Sequence, residues 1–195
     1  MQESFSNFVF FLGNSGAGKD TSMTIFEEVL VKEKVPVKNL QRVISRPSHP
    51  SEDFISVSAT TFKALVDKKR FAFYWKIYDN YYGYLQDDID YCIKNQVVAL
   101  FNISRSLSVD IQDKYPDCKF IEILAPFDVS AKRVENRQRS SPLNVAKRIQ
   151  RMHRDFDLPE DRFVINNSGT LEELYSKISD IIYNNFLTRS DPSLL

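Results

Sequence analysis

The chain has 195 residues, with 26 Lys+Arg balanced by 26 Asp+Glu for a formal net charge of zero, and one hydrophobic core is enough at that length. The balance offers no electrostatic footprint for nucleic acid or an anionic membrane surface. Two cysteines and two histidines exclude a disulfide framework and are too few for a recognisable zinc site. No apolar run reaches the roughly 18 residues of a membrane span, and the N-terminus lacks a signal-peptide pattern. The expectation is a cytoplasmic protein with one domain over 1–195, monomeric or homodimeric, with no nucleic-acid or membrane partner.

In chain order, Phe8-Val9-Phe10-Phe11-Leu12 is short, aromatic and β-branched and ends at glycine, which predicts a buried strand. After Lys19, the apolar residues Met23, Phe26, Val29 and Leu30 fall at helical spacing. Leu40–Ile44 is a weaker strand candidate. The stretch from about 45 to 84 is rich in Tyr, Phe, Ser and Pro and breaks the alternation, with a helical patch at Thr61–Asp67. It is the natural place for an acceptor-binding insert. A helix at Asp88–Lys94, strands at Val97–Phe101 and Phe120–Leu124, and a helix at Val129–Glu135 follow. Ser141-Pro142 has the pattern of an N-cap with Pro at the first helical position, and Val145, Ile149, Met152 and Phe156 stripe the helix behind it. A strand at Phe163–Ile165 and a helix carrying Leu171, Leu174, Ile178, Ile181 and Ile182, begun at Gly169 or Thr170, complete the chain before a frayed tail over 188–195. Strands alternating with helices predict an α/β fold with a mostly parallel sheet flanked by helices.

The strongest motif is Gly13-Asn14-Ser15-Gly16-Ala17-Gly18-Lys19-Asp20-Thr21, which satisfies G-x-x-x-x-G-K between a strand and a helix. Glycines let the backbone curl so that successive N–H groups point inward at phosphate oxygens. The helix N-terminus adds partial positive charge, and Lys19 supplies a point charge for the β- and γ-phosphates. These nine residues are the candidate nucleotide site. Asp20 stands where a Ser or Thr hydroxyl is usual, and Thr21 comes one place later. Asp20 and Thr21 are therefore the candidate ligands of a Mg²⁺ ion, while a first-turn acid answering the helix dipole is the alternative for Asp20.

On the acceptor side, Arg46 and Glu52 follow the second predicted strand, and Tyr81-Tyr82-Gly83 closes the insert. Arginine and tyrosine are both donors suited to an anionic acceptor, with core or surface aromatics near a turn as the alternative for the tyrosines. Ser104 and Arg105 lie past the strand Val97–Phe101, at the carboxyl edge where ligands bind. Arg133, Arg137 and Arg139 flank a Ser-rich turn, with Arg148, Arg151 and Arg154 beyond it. They are either a solvated basic face or a lid over about 136–144 that neutralises a transferred phosphoryl group.

Taken together, these residues resemble the nucleoside monophosphate kinase superfamily, in its guanylate-kinase-like branch, from about Phe8 to Phe186. The specific marks are Gly18-Lys19-Asp20, Ile44-Ser45-Arg46-Pro47, Trp75, Tyr81-Tyr82-Gly83, Asn102-x-Ser104-Arg105, Glu135-Asn136-Arg137 and Asn166-Asn167. Lys19-Asp20 and Asn102…Arg105 are similar to those members of the branch that phosphorylate ribose 1,5-bisphosphate to 5-phosphoribosyl 1-diphosphate (PRPP). Where guanylate kinases carry a base-reading Glu and a Ser or Thr, this chain has Phe73 and Tyr84, which leaves a guanine edge unpaired. The resemblance implies an enzyme using ATP and Mg²⁺ on a small phosphorylated acceptor. It further implies Lys19, Arg137 and Arg148 in catalysis and Asn166 beside the adenine. A nucleoside monophosphate kinase and a non-catalytic binding module are the alternatives, and the intact loop argues against the second.

Overall fold

The computed structural model describes residues 7–48, 53–136 and 142–187. Phe8–Gly13 forms β1, and its residues Phe8 to Leu12 are at most 1% exposed. A strand covered on both faces must be apolar throughout, which is why this one shows no alternation. Lys19–Lys32 forms α1, Val37–Asn39 β2, Arg42–Ile44 β3, Phe54–Ser56 β4 and Ala59–Asp67 α2. Phe71–Ile77 (β5) and Asn80–Leu85 (β6) make a hairpin, followed by α3 (Gln86–Lys94) and β7 (Val98–Asn102). A short 3₁₀ turn at Arg105–Leu107 leads into α4 (Ser108–Lys114), β8 (Lys119–Leu124), α5 (Phe127–Asn136), α6 (Pro142–Met152), β9 (Arg162–Asn166) and α7 (Leu171–Asn185).

The main sheet has five strands in the order β2-β7-β1-β8-β9, all paired parallel. Side chains of β1 alternate between its two faces. Phe8, Phe10 and Leu12 pack with Phe101, Phe120, Ile89 of α3 and Ile111 of α4. Val9 and Phe11 pack against Phe26 and Leu30 of α1 and Leu174, Ile178 and Ile182 of α7. The start of α7 is fixed at Thr170, whose hydroxyl accepts from the Glu173 N–H while the Glu173 carboxylate accepts from the Thr170 N–H. That reciprocal capping box distinguishes Thr170 from Gly169.

The region after β2 departs from the sequence expectation. The strand expected at Leu40–Ile44 is shortened to Arg42–Ile44, which turns away into a second sheet, while a strand with no predicted counterpart, Val37–Asn39, joins the main sheet beside β7. That sheet has the order β4-β3-β6-β5 and occupies most of the stretch expected to be irregular. β3 and β4 were hidden there because three residues are too few to show a period, and the β5–β6 hairpin because its turn, Tyr78-Asp79, carries none of the usual glycine signals. Phe73, Trp75 and Tyr84 of this sheet enter the core beside Phe10 and Phe101. Helix α4 also had no predicted counterpart. Glu52, Arg137 and most of the expected lid, together with the 188–195 tail, lie outside the described residues. Among the described residues no helix is long and apolar enough to cross a membrane.

Burial makes three groups of this core hard to ionise. It pushes the Tyr84 and Tyr115 hydroxyls from 10.0 up to about 12, and the Cys118 thiol from 9.0 up to about 12. Above pH 9.0 the unfolded chain therefore sheds protons that the folded chain keeps, so stability falls as pH rises from there towards 12. Denaturant midpoints measured upward from neutral pH should begin to drop near pH 9.0, and Cys118→Ala should make the drop between 9.0 and 10.0 shallower, the remainder there coming from Cys92, whose thiol burial also pushes up.

Candidate active site

The bend between β1 and α1 lies at the carboxyl ends of the parallel strands, where open α/β sheets bind ligands. Gly13 has φ 137, and a Cβ there would stand 2.3 Å from the Ile123 carbonyl oxygen of β8. Gly18, the residue capping α1, has φ 102, and a Cβ there would stand 2.3 Å from the Asn167 amide nitrogen. Only glycine fits both the dihedrals and the space. The Asn167 side chain, 7% exposed, donates to the Ala17 carbonyl at 2.7 Å, and Arg133 of α5 donates to the Gly16 carbonyl at 3.2 Å. Lys19 folds back over the bend, its ammonium donating to the carbonyls of Gly13 (2.8 Å) and Asn14 (2.9 Å).

Asp20 projects from the first turn of α1 into the same cleft, where its Oδ1 accepts from the Asn102 side-chain amide at 2.6 Å, with an Arg42 guanidinium nitrogen 4.0 Å away. Asn102 ends β7 and is itself clamped. Its N–H donates to the Tyr84 hydroxyl at 2.8 Å, and that hydroxyl donates to the Asn102 carbonyl at 3.2 Å. Tyr84 and Phe73 thus belong to the core rather than the cleft lining.

The cleft continues across the second sheet and α6. Arg42, Ile44 and Arg46 share one face by the two-residue period of β3 and its continuation, and all three line it. Trp75 and Tyr82, directly paired across β5 and β6, stack with centroids 5.6 Å apart and form a wall. From α6, Arg148, Arg151 and Met152 line the cleft at the spacing that places residues on one helical face. Arg105 lies over the Phe156 ring at 4.6 Å, with Arg151 on the same ring at 5.3 Å. Arg151 also donates to the Ser104 hydroxyl at 2.9 Å, and Ser104 caps the 3₁₀ turn that carries Arg105. Burial pulls the pKa of both Arg105 and Arg151 down. Among the described residues no carboxylate lies within 4.0 Å of Arg105, Arg148 or Arg151. Glu122 and Asp155 act on Arg105 from beyond ion-pair distance, and desolvated guanidinium groups with no carboxylate in direct contact form a receptor for an anion.

Of the residues expected from sequence, Gly13, Asn14, Ser15, Gly16, Gly18, Lys19, Asp20, Arg46, Tyr82, Ser104, Arg105 and Arg148 meet in this cleft. Ala17, Thr21, Tyr81 and Asn166 do not line it. Ala17 is buried under the bend and Thr21 points outward as an exposed residue of α1. Tyr81 lies on the opposite face of β6 from Tyr82 and stacks on Phe62 at 5.5 Å. Asn166 is exposed, and its neighbour Asn167 reaches the bend instead. Sequence reasoning assigned no role to Arg42 and Tyr78, named Asn102 and Asn167 only as marks of the resemblance, and grouped Arg151 with the basic face or lid without placing it in the cleft. The period-two relation of Arg42 to Arg46, and the i, i+3 relation of Arg151 to Arg148, were signals that could have found two of them.

The sequence model of the guanylate kinase family, described as "Guanylate kinase", matches residues 6–185. The chain is 30% identical to the ribose 1,5-bisphosphate phosphokinase PhnN of Bradyrhizobium diazoefficiens, over 81% of this chain and 79% of that protein. It is 32% identical to the protein of the same name from Brucella melitensis, over 83% and 84%. The crystal structure of guanylate kinase from Anaplasma phagocytophilum superimposes with a TM-score of 0.64 at 17% identity, covering 91% of this chain and 84% of that one. It bears out the P-loop kinase fold. A side chain at residue 18 collides with Asn167 and strains the bend, so Gly18→Ala should weaken the affinity for a nucleoside triphosphate by roughly tenfold or more. Titration calorimetry on the folded variant measures it.

Proposed function

We propose, on the premise that this chain belongs to the guanylate kinase family, that it transfers the γ-phosphoryl group of ATP to the 1-phosphate of ribose 1,5-bisphosphate, giving ADP and PRPP. The observation that carries this reading is a phosphate loop facing a pocket of half-buried arginines in which, among the described residues, Asp20 is the only carboxylate in the lining. The family's guanine-reading positions are occupied by Phe73 and Tyr84, both turned into the core and the second fully engaged with Asn102. A sugar bisphosphate has two phosphates to neutralise and no base to read, which suits this lining. The names of the relatives at 30% and 32% identity point the same way. We assign the reaction to one kinase domain in the cytoplasm, with 45–84 as the acceptor-binding insert.

In this reading Lys19 exchanges its bonds to the Gly13 and Asn14 carbonyls for the β- and γ-phosphates, since charge-assisted bonds to phosphate are the stronger ones. The Asp20 carboxylate, already in the cleft beside the bend, would hold Mg²⁺ directly or through water. Among the described residues no group of three His, Cys, Asp or Glu could hold a metal ion. One carboxylate plus phosphate oxygens and water is the coordination Mg²⁺ ordinarily accepts. Thr21, exposed on α1, is the less suited of the two candidates. Bound there, the metal would neutralise charge on the transferring group. Arg46, Arg105 and Tyr82 would hold the acceptor phosphates, with Ser104 fixing Arg151 against them. Arg148 would meet the charge of the transition state. Glu52 and Arg137 keep the roles proposed from the sequence.

The acceptor phosphate oxygen is ionised at neutral pH, attacks phosphorus in line and displaces ADP, so no general base is needed. Catalysis rests on placement and charge neutralisation. Coupled ADP-release assays with ribose 1,5-bisphosphate, GMP, AMP and dTMP should show the highest kcat/KM for the first, and a preference for GMP would reverse the assignment. Lys19→Ala should reduce kcat by roughly 10²–10³ without change in the melting curve, and near-normal turnover in that variant would remove Lys19 from the mechanism.

A further inference from the structure

Helix α6 brings Arg148 and Arg151 to the cleft, so whatever positions α6 positions those charges. One attachment comes from the β5–β6 hairpin. The strands pair Ile77 with Asn80, leaving Tyr78 and Asp79 as the two-residue turn. Tyr78 has φ 54, a left-handed conformation that such turns normally give to Gly or Asn and that costs an aromatic residue. Its side chain is nonetheless committed. The ring lines the cleft, and the hydroxyl donates to the Lys147 carbonyl of α6 at 2.6 Å. Burial raises the hydroxyl's pKa although Arg151, Arg148 and Arg154 pull it down, so it stays protonated and able to donate. The neighbouring Lys147–Asp79 pair is 3.7 Å apart with Asp79 88% exposed, a surface contact of little weight. A residue kept in a disfavoured conformation at a ligand cleft is the usual mark of a functional constraint.

We propose that Tyr78 is a positioning residue for phosphoryl transfer, tying the tip of the acceptor-binding hairpin to α6 so that Arg148 and Arg151 stand opposite the phosphate loop. The hairpin also carries Trp75 and Tyr82, so this hydrogen bond joins the wall of the acceptor pocket to the helix that carries its cations, beside the bond that Arg151 makes to Ser104. This rests on the functional reading above, since the arginines matter only if an anionic acceptor lies between them and the bend.

The test is Tyr78→Phe in the full chain, which keeps the ring and removes the donor. Amide hydrogen exchange over 145–152 of the ligand-free protein should quicken by about tenfold. At saturating ATP and ribose 1,5-bisphosphate kcat should fall by about tenfold, because a small misplacement of charge costs rate. The KM for ATP and the melting temperature should stay close to wild type. The single tryptophan, Trp75, gives a second readout: its fluorescence on titration with ribose 1,5-bisphosphate should still change. An unchanged kcat, unchanged exchange in α6, or a lowered melting temperature as the sole effect overturns the proposal. A wild-type protein that does not turn over ribose 1,5-bisphosphate overturns the functional reading instead, and the exchange measurement then decides the tie between hairpin and helix by itself.

Discussion

The cleft is organised by a steric constraint on the main chain between β1 and α1. At Gly13 the backbone passes so near the Ile123 carbonyl that no side chain can be inserted, and at Gly18 a φ of 102 and the Asn167 amide together favour glycine. The bend is therefore pressed between β8 on one side and the segment after β9 on the other, and its backbone is held in one curved conformation. Donors on a backbone so held need no reorganisation when an anion arrives, which is where electrostatic binding and catalysis draw their advantage. Lys19 is parked on two carbonyls of the same bend, so its ammonium stays within the cleft.

A second constraint links the two sheets. The Tyr84 hydroxyl exchanges two hydrogen bonds with the backbone of Asn102, and the Asn102 side chain holds Asp20. The insert, the carboxyl end of β7 and the first turn of α1 are thereby joined through one buried phenol. A position that reads a nucleobase elsewhere in the family serves here as an internal strut. The carboxylate that faces the loop comes from α1 rather than from the strand end, where Asn102 stands as its neutral partner. The pair places one negative charge beside the bend rather than two, which limits repulsion with an anionic ligand.

Charge in the acceptor pocket has the opposite character. Arg105 and Arg151 share the Phe156 ring and serine or carbonyl partners, and no carboxylate among the described residues quenches them at close range. A chain with zero net charge can thus hold a cluster of arginines in one cleft because acids elsewhere are paired with other cations, as in Lys38–Asp88, Arg70–Asp87 and Arg162–Glu122. Global charge says nothing about such a cleft, since only distance and desolvation decide what an incoming phosphate feels.

Local sequence determined the elements whose signals are local. The apolar run of β1, the helical stripes of α1 and α7, the strands β7, β8 and β9 and the glycine-lysine bend follow from backbone sterics and short-range periodicity. So did Arg46, Arg105 and Arg148, because residues just past parallel strands and on an arginine-lined helix face are candidates wherever the pattern occurs. The second sheet, the burial of Phe73 and Tyr84, the turning away of Tyr81 and the contact of Asn167 rather than Asn166 with the bend were decided by tertiary structure. Each depends on which side of a strand faces the core, and a shift of one residue exchanges the two sides. Arg42 meets Asp20, and Asn102 meets both Asp20 and Tyr84, across gaps of sequence that no periodicity spans. Such contacts exist only after the chain has closed its loops, because their free energy comes from partners that are distant until the fold brings them together.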